Sequence, residues 1–290
     1  MPSPRSILRY AVTLLAVAAA IVAGVYVWRS YTETPWTRDG RVRARIVQMV
    51  VDVSGAVSDL RIRDNQTVHK GDVLFVIDQA RYRLALDRAR AIEAERRAEV
   101  EQRRREAERR EKLTSAAVSE ETREQAQTAL ASAEGALQQA IAEREVAELD
   151  LDRTTVRSPV NGYVTNLLLD PGDYVTAGNR VVALVDSDSF FVAGYFEETK
   201  LFAIHPGDPA TIRLMGRSGE LRGRVESIAR AVVDRENTTS NDLIADVNPS
   251  FSWVRLAQRV PVRISIVDPP ADLQLSSGLT ATVVVHPERR

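Results

Sequence analysis

The sequence predicts an elongated chain of mixed α and β structure. It should contain an N-terminal transmembrane helix, a β module split by an antiparallel α-helical hairpin, and a C-terminal antiparallel β-barrel. Three observations predict this. Two stretches 107 positions apart match without a gap: Gly55 maps onto Gly162, Val57 onto Val164, Leu60 onto Leu167, Val68 onto Val175 and Gly71 onto Gly178. A repeat this regular marks two copies of one supersecondary unit that bury a shared core. Between the copies lie two long runs almost free of Gly and Pro, and after them residues 188–290 alternate short apolar runs with turn residues.

Residues 1–9 read as a cytoplasmic N-terminus and residues 10–28 as a membrane anchor. From Ala11 to Val27 there is no charge, and only Thr13 and Gly24 interrupt the apolar run. Nineteen helical residues span roughly 28 Å, close to the thickness of the hydrocarbon layer. Tyr10 and Trp28 stand where interfacial aromatics belong, and Arg5 and Arg9 keep the N-terminus inside. The expected location is therefore the inner membrane, single-pass, with the bulk of the chain periplasmic. A cleaved signal peptide is the alternative, because Ala16-Val17-Ala18 resembles a cleavage site. No second apolar run of this length occurs, which excludes a multi-span transporter.

Residues 29–41 read as a linker. Residues 42–78 form the first half of the β module, opening with a strand at Val42–Val50, and residues 154–187 form the second half. The apolar positions in both halves are β-branched and bounded by Gly or Asp-Asn, as in strands and turns. Gly71 and Gly178 stand at strand starts where a positive φ explains them. Pro171-Gly172 marks a tight turn, matched by Asn65-Gln66 in the first half.

Residues 79–153 read as the hairpin. Arg81–Leu113 has no Gly or Pro, and Glu120–Leu151 has only Gly135, which gives two helices each roughly 50 Å long. The short connection 114–119 forces them antiparallel. Ser119 followed by Glu120 and Glu121 reads as an N-cap with acid in the first turn. The second helix carries a 4-3 seam through Ala126, Leu130, Ala133, Leu137, Ala140, Arg144, Ala147 and Leu151, broken only by Arg144. The first has a seam near its base, at Ala85, Ala89 and Ile92, and almost none beyond Val100. The net charge over 81–113 is +4, and over 120–152 it is −7. Opposite charge favours side-by-side pairing and disfavours pairing of either helix with its own copy.

Strands are expected at Phe190–Phe196, Ala210–Leu214, Leu221–Ile228, Trp253–Ile266 and Leu279–Val285, with a long loop over Asp234–Ser252. Overall, 290 residues with a net charge of −1 and 27% charged residues give no field favouring nucleic acid. Without cysteine there is no disulfide framework, catalytic thiol or Cys-based zinc site. His69, His205 and His286 are isolated, so no metal is expected. Asp186/Asp188 and Glu197/Glu198 lack a partnering base and read as polar ends of surface strands. No catalytic residue is expected. The two halves resemble the carrier fold that bears lipoyl or biotinyl groups on a lysine at the joining turn. Here the hairpin occupies that turn, and no Met-Lys-Met-like tripeptide exists, so no cofactor is expected.

This combination resembles the membrane fusion protein family, the HlyD-type periplasmic adaptors, over nearly the whole chain. Tyr31-Thr32-Glu33-Thr34-Pro35-Trp36-Thr37-Arg38-Asp39, Asp64-Asn65-Gln66 and Val73–Gln79 resemble the branch that serves p-hydroxybenzoic (aromatic carboxylic) acid efflux pumps. Glu197–Leu201 and Trp253–Ile264 add to that likeness. The resemblance implies a lipoyl-like domain whose turns use Gly55, Gly71, Gly162 and Gly178. It also implies copies stacked around an axis, often as hexamers. The partners it implies are an inner-membrane exporter of the aromatic-acid or fusaric-acid-resistance type and a TolC-like outer-membrane channel. Family members meet the channel through Arg-x3-Leu followed by Ser. Arg109 and Leu113 fit, while Ser119 follows after five intervening residues rather than six. The expected role is thus an efflux adaptor. A type I protein-secretion adaptor and a tethered scaffold without a transport role are the alternatives.

Overall fold

The computed structural model describes residues 13–25, 34–113, 119–232, 238–239, 245–246, 257–270 and 273–288. Residues up to Arg45 and from Ser189 onward form one compact unit, and Ile46–Asp188 form another. Residues 13–25 are helical (α1) and exposed throughout. Among the described residues no helix is long and apolar enough to cross a membrane. The expected anchor, 10–28, runs past α1 on both sides into positions outside the described residues.

In chain order the first strands are β1 (Trp36–Arg43), β2 (Ile46–Val50), β3 (Gly55–Leu60), β4 (Thr67–Val68) and β5 (Val73–Ile77). Helices α2 (Ala80–Glu111) and α3 (Glu120–Arg153) follow. Next come β6 (Thr155–Arg157), β7 (Gly162–Thr165), β8 (Tyr174–Val175) and β9 (Arg180–Asp186). The remainder is β10 (Phe191–Glu197), α4 (Glu198–Leu201), β11 (Pro209–Leu214), β12 (Leu221–Ile228), β13 (Thr238–Thr239), β14 (Ala245–Asp246), β15 (Arg259–Val267) and β16 (Thr280–Val285).

Within Ile46–Asp188 the two halves interlock. One four-stranded sheet has the order β2-β9-β7-β4 and the other β6-β5-β3-β8. Exchanging the halves strand for strand converts one order into the other, so each sheet takes two strands from each half. The registers obey the same exchange. Gly55↔Val175 and Ala56↔Tyr174 in one sheet correspond to Gly162↔Val68 and Tyr163↔Thr67 in the other. The buried core repeats likewise, pairing Val57 with Val164, Ile62 with Leu169, Val68 with Val175, Phe75 with Val182 and Ile77 with Leu184.

The other unit is a closed six-stranded barrel of order β1-β10-β15-β12-β11-β16. Its core includes Val42, Val192, Phe196, Ile212, Ile264 and Val283. This corrects the expected linker 29–41 and the start of the first half at residue 42. Trp36–Arg43 is a barrel strand, paired with β10 on one side and β16 on the other. The expected single strand Val42–Val50 therefore breaks at Ala44-Arg45, and the split module begins at Ile46. Gly40 permits the closure, since a Cβ there would stand 2.5 Å from the Ala281 carbonyl oxygen. β13 and β14 pair within the expected loop Asp234–Ser252, most of which lies outside the described residues. So does Trp253–Leu256, the start of an expected strand. Asp186 is a second correction: it is buried, and its Oδ1 accepts from the Asp188 amide at 3.0 Å, so it is not a surface end.

Candidate docking hairpin

The two helices follow from composition, and their pairing follows from one face of each. On α3 the inward stripe is the expected one, with Ala126, Ala133 and Ala140 buried. On α2 it runs through Tyr82, Leu86, Ala89, Glu93, Arg96, Val100, Arg103, Ala107 and Arg110, all buried or half-buried. That is an unbroken 4-3 alternation, the spacing of a coiled-coil seam. Ala85, expected on the seam, is exposed; the register is set one residue later, where the larger Leu86 is buried. Four of the nine seam positions carry charged side chains, so the stripe is not apolar along its length.

Those charges are matched. Arg144, the one interruption of the α3 seam, has its Nε 2.9 Å from the Glu93 carboxylate, an interruption of the α2 seam. The side chains are only 23% and 13% exposed, so the pair is shielded from solvent. Arg144 also holds Glu148 at 2.7 Å, and Arg97 holds Glu93 at 2.6 Å. Arg104–Glu134 at 3.8 Å and Arg90–Glu148 at 3.9 Å are looser bridges between the helices.

The base of the hairpin is fastened to the split module. Arg81 Nη2 and Tyr82 Oη each donate to the Ser54 carbonyl at 2.8 Å. The Tyr82 hydroxyl, which accepts from the Arg81 guanidinium, raises the Arg81 pKa above its ordinary value. Gln79 Nε2 donates to Thr154 Oγ1 at 2.8 Å, and Arg153 stands 3.5 Å from Asp52.

At the far end, Arg109 and Leu113 lie one helical turn apart. Arg109 is exposed without an ion pair among the described residues, and Leu113 is 47% exposed. Residues 114–118 of the connection lie outside the described residues. Ser119 caps α3: its Oγ accepts from the Thr122 amide at 3.3 Å and lies 2.7 Å from Thr122 Oγ1. Arg123 Nη2 donates to the Leu113 carbonyl and Arg110 Nη1 to the Thr122 carbonyl, at 3.3 Å for the latter. These bonds tie the two helix ends, and none of them uses the Arg109 or Leu113 side chain.

The four glycines divide into two kinds. Gly71 and Gly178 adopt φ +95° and +88°. Their amides donate to the Ser158 and Val51 carbonyls at 2.8 and 2.9 Å, a pair related by the repeat. Gly55 and Gly162 serve close packing: a Cβ would fall 2.6 Å from Ile77 Cγ2 and 2.0 Å from the Val185 carbonyl oxygen. Among the described residues no cluster of His, Asp and Glu could hold a metal ion.

Two family models match this chain. Residues 80–152 match the model described as "pHBA AAEA subunit, alpha-helical hairpin domain". Residues 189–286 match the "AAEA-like beta-barrel domain", and together the two span more than half of the sequence. The chain belongs to the membrane fusion protein family. It is an adaptor of efflux pumps, related to the p-hydroxybenzoic acid pump subunit. The adaptor's fold recurs in solved structures. The membrane fusion protein Spr0693 from Streptococcus pneumoniae R6 is 17% identical, with a TM-score of 0.64, over 88% of this chain and 99% of that one. MacA from Actinobacillus actinomycetemcomitans is 18% identical, with a TM-score of 0.63, over 88% and 82%. A putative efflux transporter from Bacteroides eggerthii is 19% identical, with a TM-score of 0.61, over 87% and 69%. At these identities the likeness concerns the fold alone. The adaptor's hairpin boundaries coincide with α2 and α3 to within a residue or so.

Proposed function

We propose that the adaptor is the periplasmic subunit of a tripartite pump exporting aromatic carboxylic acids such as p-hydroxybenzoate. It joins an inner-membrane exporter of the aromatic-acid or fusaric-acid-resistance type to a TolC-like outer-membrane channel. The single observation that carries this reading is the match of hairpin and barrel, separately, to domains of one pump's subunit. In this reading residues 10–28 hold the chain in the inner membrane with its N-terminus cytoplasmic. The hairpin tip meets the channel through Arg109 and Leu113, with Ser119 contributing its cap. Copies of the chain, as hexamers, form a sealed duct, and the exporter supplies all of the energy.

The geometry supports a passive role. Helices of 32 and 34 residues, each roughly 50 Å long, reach across an aqueous gap from a rigid β base. Deletion of the gene should sensitise cells to p-hydroxybenzoate, and a plasmid copy should restore tolerance. Unchanged tolerance, with an ATP-binding exporter encoded alongside, would favour the protein-secretion alternative instead.

A further inference from the structure

We propose that Arg123 is the positioning residue of the hairpin tip: it holds Leu113 and Ser119 at the one separation at which a channel can take both. The inference rests on the docking reading above. Neither of those residues is fixed by a helix of its own. The last residue of α2 is Glu111 and its C-cap is Lys112, so Leu113 lies past the helix end. Ser119 is the N-cap of α3 and has extended backbone, with φ −70° and ψ 152°. Arg123, inside α3, is bonded to both. Its Nη2 donates to the Leu113 carbonyl, and its backbone amide donates to the Ser119 carbonyl at 3.3 Å. One residue thus brackets two that belong to opposite sides of the connection.

A second arginine braces the bracket from the other helix. Arg110 Nη1 donates to the Thr122 carbonyl at 3.3 Å, and the Thr122 amide donates to Ser119 Oγ at 3.3 Å. Each guanidinium is aimed by a carboxylate of its own helix. Glu106 lies 2.6 Å from Arg110 Nη2, and Glu120 lies 3.7 Å from Arg123 Nη1. Stability alone does not account for a guanidinium at position 123. Its Nε is buried without a hydrogen-bond partner among the described residues, a cost that an apolar side chain would avoid. The carbonyl it holds belongs to a leucine whose side chain is exposed, so the bond adds nothing to the packed seam. What it does set is where that leucine stands.

The chain has no cysteine, so Lys112→Cys with Glu124→Cys gives a unique pair of nitroxide sites, both exposed. In the full-length protein the dipolar distance distribution between them should be narrow, and Arg123→Ala should widen it several-fold. Without the labels, Arg123→Ala should lower p-hydroxybenzoate efflux about tenfold at equal adaptor level, the order by which one bond from a charged donor shifts an equilibrium. Arg123→Lys still offers one donor to the Leu113 carbonyl and should restore both readings. Arg109→Glu with Leu113→Asp should lose efflux while the distribution stays narrow. A narrow distribution in Arg123→Ala overturns the proposal, because the tip is then held without this side chain. A widened distribution with full efflux overturns it too, because the separation is then immaterial to docking. If Arg123→Lys restores the distribution and not the efflux, the guanidinium is itself a contact and the positioning role falls. Full efflux in Arg109→Glu with Leu113→Asp instead overturns the docking reading underneath.

Discussion

Glu93 and Arg144 each spoil the apolar seam of their own helix, and they stand opposite one another at 2.9 Å. Removing one partner leaves a shielded charge unpaired, whereas removing both leaves room for packing. Glu93→Ala or Arg144→Ala should therefore each cost about 1–3 kcal/mol in chemical denaturation. The double change to Leu at both positions should be close to neutral, because it leaves no unpaired charge in the seam. Single variants as stable as the parent would mean that solvent reaches the pair. Glycine positions give a second contrast at this scale. Gly178→Ala forces a side chain into positive φ with open space around it, and should cost about 1–2 kcal/mol. Gly162→Ala drives a Cβ onto the Val185 carbonyl and should prevent the module from folding, read as loss of protected amides in β7 and β9. Gly178 was legible from its turn. The need for Gly162 was not, because the clash comes from a strand that the sequence leaves unaligned.

At the scale of elements, α3 announces its face because its seam is Ala and Leu; α2 conceals it because Glu93, Arg96, Arg103 and Arg110 occupy seam positions. Opposite net charge on the two helices predicted their partnership, but only the cross-helix pairs define the register. Each exposed bridge is worth at most about 1 kcal/mol, so the shielded pair weighs most. The tip is the element whose chemistry is directed outward. Arg109→Glu with Leu113→Asp alters exposed side chains that hold no bond among the described residues, so helix content should be unchanged. Efflux of p-hydroxybenzoate in whole cells should nonetheless fall to the level of the deletion strain. Full efflux in this double variant would exclude the tip as the docking surface.

For the molecule as a whole, the chain is a nested insertion: hairpin within split module, split module within barrel. The 107-residue repeat made the inner nesting legible, since both copies keep their strand and turn signals. The outer nesting was hidden. β1 is a barrel strand severed from β10 by the entire Ile46–Asp188 unit, and Trp36–Arg43 carries an Arg-Asp-Gly stretch that reads as a turn. Nesting also makes the hairpin removable. The Ile77 amide donates to the Thr154 carbonyl at 2.8 Å, so the chain enters and leaves the hairpin at adjacent points. Replacing residues 80–153 by a short Gly-Asn turn should leave both β units folded, with their amides protected from exchange, and abolish efflux. Loss of protection in β5 and β9 would show that the helices hold the module together.

The interlocked sheets carry a consequence for the order of assembly. Neither half of the module has a complete sheet of its own, so residues emerging first must wait, edges unpaired, for strands made a whole hairpin later. Closing so long a loop by chance costs about 4 kcal/mol beyond a constant. Two helices of opposite charge that zip from their local connection bring Ile77 and Thr154 together beforehand. In a growing or refolding chain the rod is thus a timing device: it delivers the late strands to the early ones before their open edges meet another molecule.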